Sequence, residues 1–398
     1  MLTHMSTDMA DGADDQTITY SRRRMLATIG GSVTVGGLIA GALGSGGVSS
    51  IETWDELASL TDADGDYRLE HDLDDSVDGY DSHVDDPPDG WEPIDGFTGS
   101  LDGNGRTIAD LVIDRPSETP VGLFGYLDDA IIEDLTFLDA TIFGGDSTGV
   151  VCGDANSSSL SAIGVFDATV EGDDRVGGVV GSSSGLSLTK AAVSGTVRGD
   201  LYAGGLVGYA SGVITDGYAL STVESDDTAG GLAGFSSADI ARGYAGGSVV
   251  GDAEAGGLIG EHFGLASIED AYWDIGMTGQ VEAVGNDSVG SSVIGHGSVG
   301  DSEPAIEMLG RLPLPEADGG DETMPALDFD EVWAAVIEDE PIGPTPTADG
   351  YPVLQGLDAT IQLDAQGIGT NPNAGALISI EAGGSVSVSN VTVGDDGG

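Results

Sequence analysis

The chain has 398 residues, of which 69 are acidic and 11 are basic, so its formal net charge is −58 at pH 7. An acid excess of this size excludes nucleic acid as a partner, because no basic surface is left to meet phosphates. It is typical of proteins that fold in molar salt, where mobile ions screen the repulsion between like charges. We therefore expect a protein from a salt-loving organism, such as a halophilic archaeon.

The first segment, 1–45, predicts an export signal. Three consecutive arginines, Arg22–Arg24, precede an apolar, glycine-rich stretch that runs to about Leu43 and ends in the small residues Ala40–Ala42. This order is that of a signal peptide, and twin arginines before apolar residues resemble the Tat type, which exports folded proteins. Two alternatives are an uncleaved stretch that remains as a membrane anchor and a chance basic triplet before a core helix.

Residues 51–121 predict an N-terminal cap with the first strands of the fold. Trp54–Leu57 could open a short helix, and Tyr67–Leu73 alternates between apolar and polar residues as a strand does. Further on, Asp102–Gly105 reads Asp-Gly-Asn-Gly, which indicates a tight turn between two strands. The apolar run Ile108–Ile113 would follow that turn.

The segment 122–280 repeats one glycine-led phrase six times, and the closing glycines are 28, 28, 27, 26 and 26 residues apart. A fixed period of this length indicates stacked repeats, since one coil cannot bury its own apolar face. The apolar runs have strand length, and a β-propeller would need blades of about 40 residues. We therefore predict an all-β, right-handed parallel β-helix (β-solenoid) of about six repeats. The copies are Gly122–Gly125, Gly149–Gly153, Gly177–Gly181, Gly204–Gly208, Gly230–Gly234 and Gly256–Gly260.

Aligning the repeats predicts columns of stacked side chains. One column alternates in charge, and each opposite-charge pair would contribute about 0.2–1 kcal/mol. Another holds tyrosines, which could form a core or surface ladder or a platform for stacking sugars. Cys152, the only cysteine, fills an apolar slot of the phrase, so we expect a small buried hydrophobe without a disulfide or thiolate metal site. The charged column is Lys190, Asp216, Arg242 and Asp270, and the tyrosines are Tyr218, Tyr244 and Tyr272.

Residues 281–355 predict a linker followed by a C-terminal cap. The part 281–300 is rich in Gly, Ser and Val, whereas Leu327–Trp333 and Gly350–Gln355 have the apolar and aromatic residues of a cap. A solenoid needs such caps because its terminal strand edges are otherwise open. The remaining residues, 356–398, form a tail in which Leu377–Val393 alternates and predicts a hairpin.

These residues together resemble proteins that carry the GLUG motif, over roughly 51–355. The resemblance implies an extracytoplasmic β-solenoid, of a kind often found within adhesin-like surface proteins, with no agreed catalytic residues. The second repeat departs from the pattern, because Val150 and Cys152 loosen its phrase. Besides the phrase itself, the matching segments are Trp91–Ile94, Phe97–Ile108, Ala271–Asp274, Thr278–Gln280, Trp333 and Tyr351–Leu354.

The sequence predicts no catalytic, cofactor-binding or metal-ligating residue. The five histidines are not spaced for zinc. Asp62–Asp66 hints at a calcium loop but has its glycine misplaced and no closing glutamate. Asn156, Asn286 and Asn390 stand in glycosylation sequons, as in a glycosylated surface protein.

We therefore expect an exported, non-enzymatic protein, secreted or on the cell surface, that acts in adhesion or interaction. Its partner would be an unidentified surface protein or a glycan, and the sequence leaves the oligomeric state open. One alternative is a secreted lyase or glycosidase that uses a groove of the β-helix, where paired carboxylates would act. Another is a structural component of the cell envelope with no discrete ligand.

Overall fold

The computed structural model of the chain describes residues 47–60, 64–287, 292–298, 303–316, 320–338, 350–366, 378–381 and 385–388. The predicted export signal and its alternatives lie outside these residues, as does part of the calcium-like segment Asp62–Asp66. Within the described residues, none of the helices has the length and apolar character needed to cross a membrane.

Helices are few and short in the described chain. They are α1 (Trp54–Ala58), α2 (Ile275–Thr278) and α3 (Ala359–Asp364), with short helical turns at Asp81–Asp85 and Ile306–Met308. Helix α1 begins where the sequence predicts it. There the Thr53 hydroxyl accepts a hydrogen bond from the Glu56 amide, and the Glu56 side chain accepts one from Thr53 in return.

Strands make up most of the fold. The N-terminal part holds β1 (Ser49–Ile51), β2 (Asp66–Leu69), β3 (Ser100–Ala109) and β4 (Val112–Asp114). The first repeats add β5 (Phe124–Asp128), β6 (Ile131–Leu138), β7 (Thr141–Phe143), β8 (Ser147–Thr148), β9 (Cys152–Asn156), β10 (Ser159–Glu171), β11 (Arg175–Gly177), β12 (Val180–Ser184) and β13 (Leu186–Gly199). The next are β14 (Tyr202–Gly204), β15 (Val207–Ala210), β16 (Gly212–Thr215), β17 (Tyr218–Ala219), β18 (Thr222–Ser225), β19 (Thr228–Gly230), β20 (Ala233–Ser236), β21 (Asp239–Ala241), β22 (Tyr244–Ala245) and β23 (Val249–Gly251). The last are β24 (Glu254–Gly256), β25 (Ile259–His262), β26 (Ile268–Asp274), β27 (Val284–Asp287), β28 (Ser292–His296), β29 (Trp333–Glu338), β30 (Gly350–Leu354), β31 (Ile378–Glu381) and β32 (Ser385–Val388).

Three parallel sheets run along the stack of coils. The main sheet follows the order β1-β2-β3-β6-β10-β13-β16-β21-β26 and also contains the shorter strands of the same columns. The second sheet is β5-β9-β12-β15-β20-β25-β27, and the third is β8-β11-β14-β19-β24. Each coil thus passes through the three sheets and pairs with the coil before it. The predicted β-solenoid is confirmed, with about seven turns.

The repeated glycines let successive coils approach each other. Gly177, Gly204, Gly230 and Gly256 are paired in register through the third sheet. A Cβ atom on Gly204 would collide with the carbonyl oxygen of Val207 and would lie 2.6 Å from the amide nitrogen of Gly234. The phrase therefore repeats glycine because no side chain fits at this corner.

The core lies inside the coils, where each coil supplies the same apolar slots. Cys152 pairs in register with Phe124 on one side and Val180 on the other, and it is fully buried. Burial raises the pKa of its thiol far above the usual range, so it stays protonated. The prediction that Cys152 fills an apolar slot is confirmed.

Two sequence predictions about the ends of the stack need correction. Asp102–Gly105 does not turn the chain between two strands, because β3 continues through it with an irregular register between Asp102 and Arg106. Within 281–300, predicted as a linker, β27 pairs with β25 and β28 pairs with β26. Asp102–Gly105 and the strands β27 and β28 are thus parts of the solenoid.

A separate four-stranded sheet follows the solenoid, in the order β30-β29-β32-β31. Strands β31 and β32 pair antiparallel, at the position where the alternation of Leu377–Val393 predicts a hairpin. Strands β29 and β30 are also antiparallel, and they hold the apolar residues expected of a C-terminal cap.

Candidate binding face

The charged column is a structural feature of the main sheet. Lys190, Asp216, Arg242 and Asp270 stack in register and all have left-handed backbone angles, with φ of 56°, 55°, 54° and 53°. Arg242 donates two hydrogen bonds to Asp216, from Nε at 3.0 Å and Nη2 at 2.8 Å, and Asp216 is only 5% exposed. Among the described residues this is the one ion pair that joins two members of the column. The four charged residues therefore stack as predicted, but the hydrogen-bonded ion pair joins only the coils of Asp216 and Arg242.

The tyrosine column is buried and is not a sugar platform. Tyr218, Tyr244 and Tyr272 are paired in register, and all three are at most 1% exposed. The rings of Tyr218 and Tyr244 stack with centroids 5.1 Å apart and planes at 4°. Of the two predicted roles, the aromatic ladder is correct and the stacking platform is wrong, because no ring face meets solvent.

The residues that cover this ladder come from the C-terminal segment 303–366, where it is described. The Trp333 ring lies over Tyr218 and Tyr244, with centroid distances of 6.2 Å and 5.7 Å. Tyr218 donates its hydroxyl hydrogen to Gln362 at 3.0 Å, and Tyr244 donates to the Pro352 carbonyl at 2.6 Å. The segment therefore seals the outer face of the main sheet over three coils.

A second set of aromatic residues faces outward from the second sheet. The residue directly after the closing glycine of each phrase forms one column in register, which contains Tyr126, Asp154, Ser182, Tyr209, Phe235 and Glu261. The Tyr209 and Phe235 rings stack with centroids 4.4 Å apart and planes at 5°. Sequence reasoning missed this column, although its fixed offset from the glycine was a readable signal.

Four rings gather around this column, and we call Tyr202, Tyr209, Phe235 and Phe263 the aromatic patch. Tyr202 comes from the neighbouring third sheet and meets Tyr209 and Phe235 edge-on, at 6.1 Å and 5.5 Å. Phe263 continues the stack beyond Phe235, with centroids 6.5 Å apart. Its side chain is 66% exposed, so the patch ends in an open ring.

The open ring sits on a loop that is longer than its counterparts. Asp270 lies ten positions after Gly260, whereas the equivalent residue lies eight positions after the closing glycine in each of the two preceding coils. The insertion displays Phe263 and also Leu265, which is 97% exposed. Exposed apolar residues that are grouped in this way indicate an interaction surface more often than scattered ones do.

Hydrogen bonds hold that loop in one shape. The Phe263 amide donates to the Ser236 carbonyl at 2.9 Å, and His262 Nε2 is 3.0 Å from the Ala266 carbonyl oxygen. At the end of the loop, Ser267 donates from its amide and its hydroxyl to Asp239 Oδ1, at 2.7 Å and 3.0 Å. The apolar side chains are therefore presented by a fixed backbone.

Carboxylates lie near Tyr202 in the aromatic patch. The pKa of the Tyr202 hydroxyl is raised, first by partial burial and then by the negative charges of Glu261 and Asp227. Glu261 occupies the rung after Phe235 in the outward column. The rings thus have hydrogen-bond acceptors beside them.

A separate group of carboxylates lies on the main sheet, where Asp102 pairs in register with Glu133 and Asp134 follows it. Partial desolvation, and then the negative charge of Asp102, raise the pKa of both Glu133 and Asp134, while Arg68, whose Nη2 lies 2.6 Å from Asp102, opposes the shift. Both side chains are exposed on an open sheet face. Across the described residues, no group of three or more His, Cys, Asp or Glu side chains could hold a metal ion.

No protein-family model matches the chain, so the resemblance to GLUG proteins stays a prediction. Part of the chain is similar to halomucin from the archaeon Haloquadratum walsbyi, with 42% identity over 108 residues. That match covers 25% of this chain and 1% of halomucin, so the chain corresponds to a small fraction of that protein's length. A crystal structure of a candidate immunoglobulin A1 protease from Bacteroides ovatus is similar over 73% of this chain and 86% of its own, with 16% identity and a TM-score of 0.35.

Proposed function

We propose that this protein is a non-enzymatic, surface-associated haloarchaeal protein, exported by a Tat-type signal, whose solenoid presents a binding face for adhesion or interaction. The observation that carries the proposal is the anchored loop that holds Phe263 and Leu265 in solvent. A fixed loop with exposed apolar side chains loses little conformational freedom on binding, so most of the contact energy contributes to affinity.

The location rests on two further observations. The partial similarity to halomucin from Haloquadratum walsbyi supports a protein that is secreted or attached to the cell surface. The net charge of −58 fits a protein bathed in concentrated salt, since ions there screen the repulsion within the acidic surface. Cell fractionation checks the export, and recovery of the protein mainly from cytosol would contradict it.

Binding is tested with envelopes isolated from haloarchaeal cells and beads coated with the protein, in molar KCl. The double variant Phe263→Ala/Leu265→Ala should weaken binding about thirtyfold or more, because truncating buried anchors of an interface costs more than about 1 kcal/mol each. The matched control is Val213→Ala, which truncates an exposed apolar residue on the main sheet. Retention of the double variant equal to that of Val213→Ala, or no retention of the unchanged protein, would overturn the proposal.

The non-enzymatic part of the proposal rests on the carboxylates. Glycosidases place two carboxyl groups on either side of the scissile bond, about 5–9.5 Å apart, within a cleft that binds the sugar. Glu133 and Asp134 are instead adjacent residues on an open sheet face. We expect no release of reducing sugar from haloarchaeal envelopes. Release that disappears in Glu133→Gln would favour the alternative, a secreted carbohydrate-active enzyme.

A further inference from the structure

We infer that the aromatic patch binds short stretches of an uncharged oligosaccharide, with the anchored loop as one wall of the site. This inference rests on the proposed function and names the ligand of its binding face. The tyrosine ladder cannot supply such a site, because it is buried beneath the C-terminal segment.

The first step is the shape of the apolar surface. Tyr209, Phe235 and Phe263 follow one another along the solenoid axis over two coil spacings, a length of about 10 Å. Tyr202 stands edge-on beside the first two rings and forms a side wall. Because Phe263 has a neighbouring ring on one side only, its other face is open. The result is a narrow apolar strip that ends in an exposed ring face.

The second step is the chemistry beside the strip. A pyranose ring has an apolar face of C–H groups and a rim of hydroxyl groups, so it needs a hydrophobic platform next to hydrogen-bond acceptors. The open face of Phe263 and the exposed edges of the other rings supply the hydrophobic surface, and Glu261 and Asp227 lie near enough to raise the pKa of the Tyr202 hydroxyl. Ionised carboxylates accept hydrogen bonds from hydroxyl groups and form some of the stronger bonds of this kind.

The third step is the charge of the ligand, because the surface disfavours anionic sugars. An anionic sugar, sulfated or uronic, would place its charge in direct contact with these carboxylates, where even the screening length of about 3 Å in molar salt leaves some repulsion. The guanidinium of Arg175, one rung before Tyr202, acts on the Asp154 carboxyl, where it opposes the rise in pKa that burial causes. An uncharged ligand avoids the repulsion and keeps its affinity in concentrated salt.

The size of the apolar surface also favours a small ligand. A stable protein partner covers about 800 Å² on each side of an interface. Here Phe235 is buried and Tyr202 and Tyr209 are half-buried, so the strip offers mainly ring edges, one open ring face and Leu265. An area of this kind suits a few sugar rings better than a folded domain.

The test is calorimetric titration in molar KCl with defined hexasaccharides. The neutral probes are β-1,4-glucose, β-1,4-N-acetylglucosamine and α-1,6-mannose hexamers, and the charged probe is a heparin hexasaccharide. At least one neutral probe should bind, and Phe263→Ala and Tyr209→Ala should each weaken its binding about tenfold. Glu261→Gln should weaken it about threefold, since a neutral amide is a poorer acceptor than a carboxylate.

Tyr126→Ala is the matched control, because Tyr126 lies in the same outward column but is separated from Tyr209 by Asp154 and Ser182. Its affinity should stay within about twofold of the unchanged protein. The inference fails if no neutral probe binds, if heparin binds more tightly, or if Phe263→Ala and Tyr126→Ala behave alike. The two proposals can be told apart. If retention by envelopes depends on Phe263 but no neutral probe binds, this inference is contradicted while the proposed function is still supported.

Discussion

At the scale of single residues, the main sheet forces an unusual backbone on one position in every coil. This position has φ between 52° and 56° in six successive coils, in the left-handed region that favours Gly, Asn and Asp. Three of the six residues are aspartate, which tolerates this conformation, and three are not of a favoured type. The residues are Asp134, Ala162, Lys190, Asp216, Arg242 and Asp270.

Ala162→Asn should therefore stabilise the fold by about 0.5–1 kcal/mol, because asparagine adopts the left-handed conformation at lower cost than alanine. The measurement is the midpoint of chemical unfolding in molar KCl. Ser161→Asn, one residue earlier in the same strand and without a positive φ, is the control and should not stabilise. Equal midpoint shifts for the two variants would contradict the backbone explanation.

The charged column gives a second prediction at this scale. Arg242→Met leaves the buried carboxylate of Asp216 without its two donors, so stability should fall by about 1–2 kcal/mol. Arg198→Met is the comparison, since Arg198 and Asp226 are 3.8 Å apart and more than half exposed. Its free energy of unfolding should change by less than about 0.5 kcal/mol. If both variants lose the same free energy of unfolding, the burial of Asp216 does not explain how strongly the Arg242–Asp216 pair stabilises the fold.

At the scale of elements, the C-terminal segment is held to the solenoid by contacts that join distant parts of the chain. Tyr218 and Gln362 are 144 residues apart, and Tyr244 and Pro352 are 108 apart. Tyr351 donates its hydroxyl hydrogen to Asp274 at 2.7 Å, and Asp274 is itself fully buried. Cap and solenoid should therefore unfold together.

His296 gives this junction a pH dependence. It stacks on Tyr272 with centroids 6.0 Å apart, Nε2 lies 3.1 Å from the Thr323 carbonyl oxygen, and burial lowers the pKa of the imidazole. The unfolded chain, with a histidine pKa of about 6.5, then takes up the proton first. Stability from this group is present above that value and is lost as pH falls toward the folded-state pKa.

The variant His296→Phe keeps a ring over Tyr272 but cannot titrate. Its melting temperature should fall less between about pH 7.5 and about pH 5.5 than that of the unchanged protein, as followed by circular dichroism. The raised pKa values of Glu133 and Asp134 make the folded state more stable as pH falls, which is the opposite of the His296 effect. Both proteins carry these two carboxyls, so their contribution is the same in each and cancels from the difference. Parallel pH profiles would show that His296 does not set the acid sensitivity.

How far the sequence predicts these elements depends on whether they repeat. The glycine phrase predicts the stacked coils, because its period reflects a close approach that recurs at Gly204 and its equivalents. Val284–Asp287 lacks a clear copy of the phrase, so its place as a further rung was missed. The burial of the tyrosine ladder could not be predicted, since it depends on Trp333 and Gln362, which follow no period.

At the scale of the whole molecule, repulsion between carboxylates opposes the stacking of coils. Asp173 shows the effect locally, because burial and then the charges of Asp200 and Asp146 raise the pKa of its carboxyl. Neighbouring coils are about 4.8 Å apart. That separation is well within the screening length of about 10 Å at 0.1 M salt and exceeds the length of about 3 Å at 1 M.

The free energy of unfolding should therefore rise between about 0.1 M and about 1 M KCl. Asp173→Asn removes one stacked charge, so it should stabilise the protein in the dilute buffer and have a smaller effect in the concentrated one. Circular dichroism melts in both buffers measure the difference. A fold that is equally stable in dilute buffer would show that charge repulsion is not the dominant cost.

The cover over the tyrosine ladder has a mechanical consequence for a stack of coils under tension. A solenoid pulled from one end can lose its coils one at a time, because each coil is bonded to its neighbours only. The C-terminal segment contacts Tyr218, Tyr244 and Tyr272 at once, through Gln362, Pro352 and Ala326. Three consecutive coils must then yield as one block, so this end of the molecule resists tension that would unravel an uncovered stack.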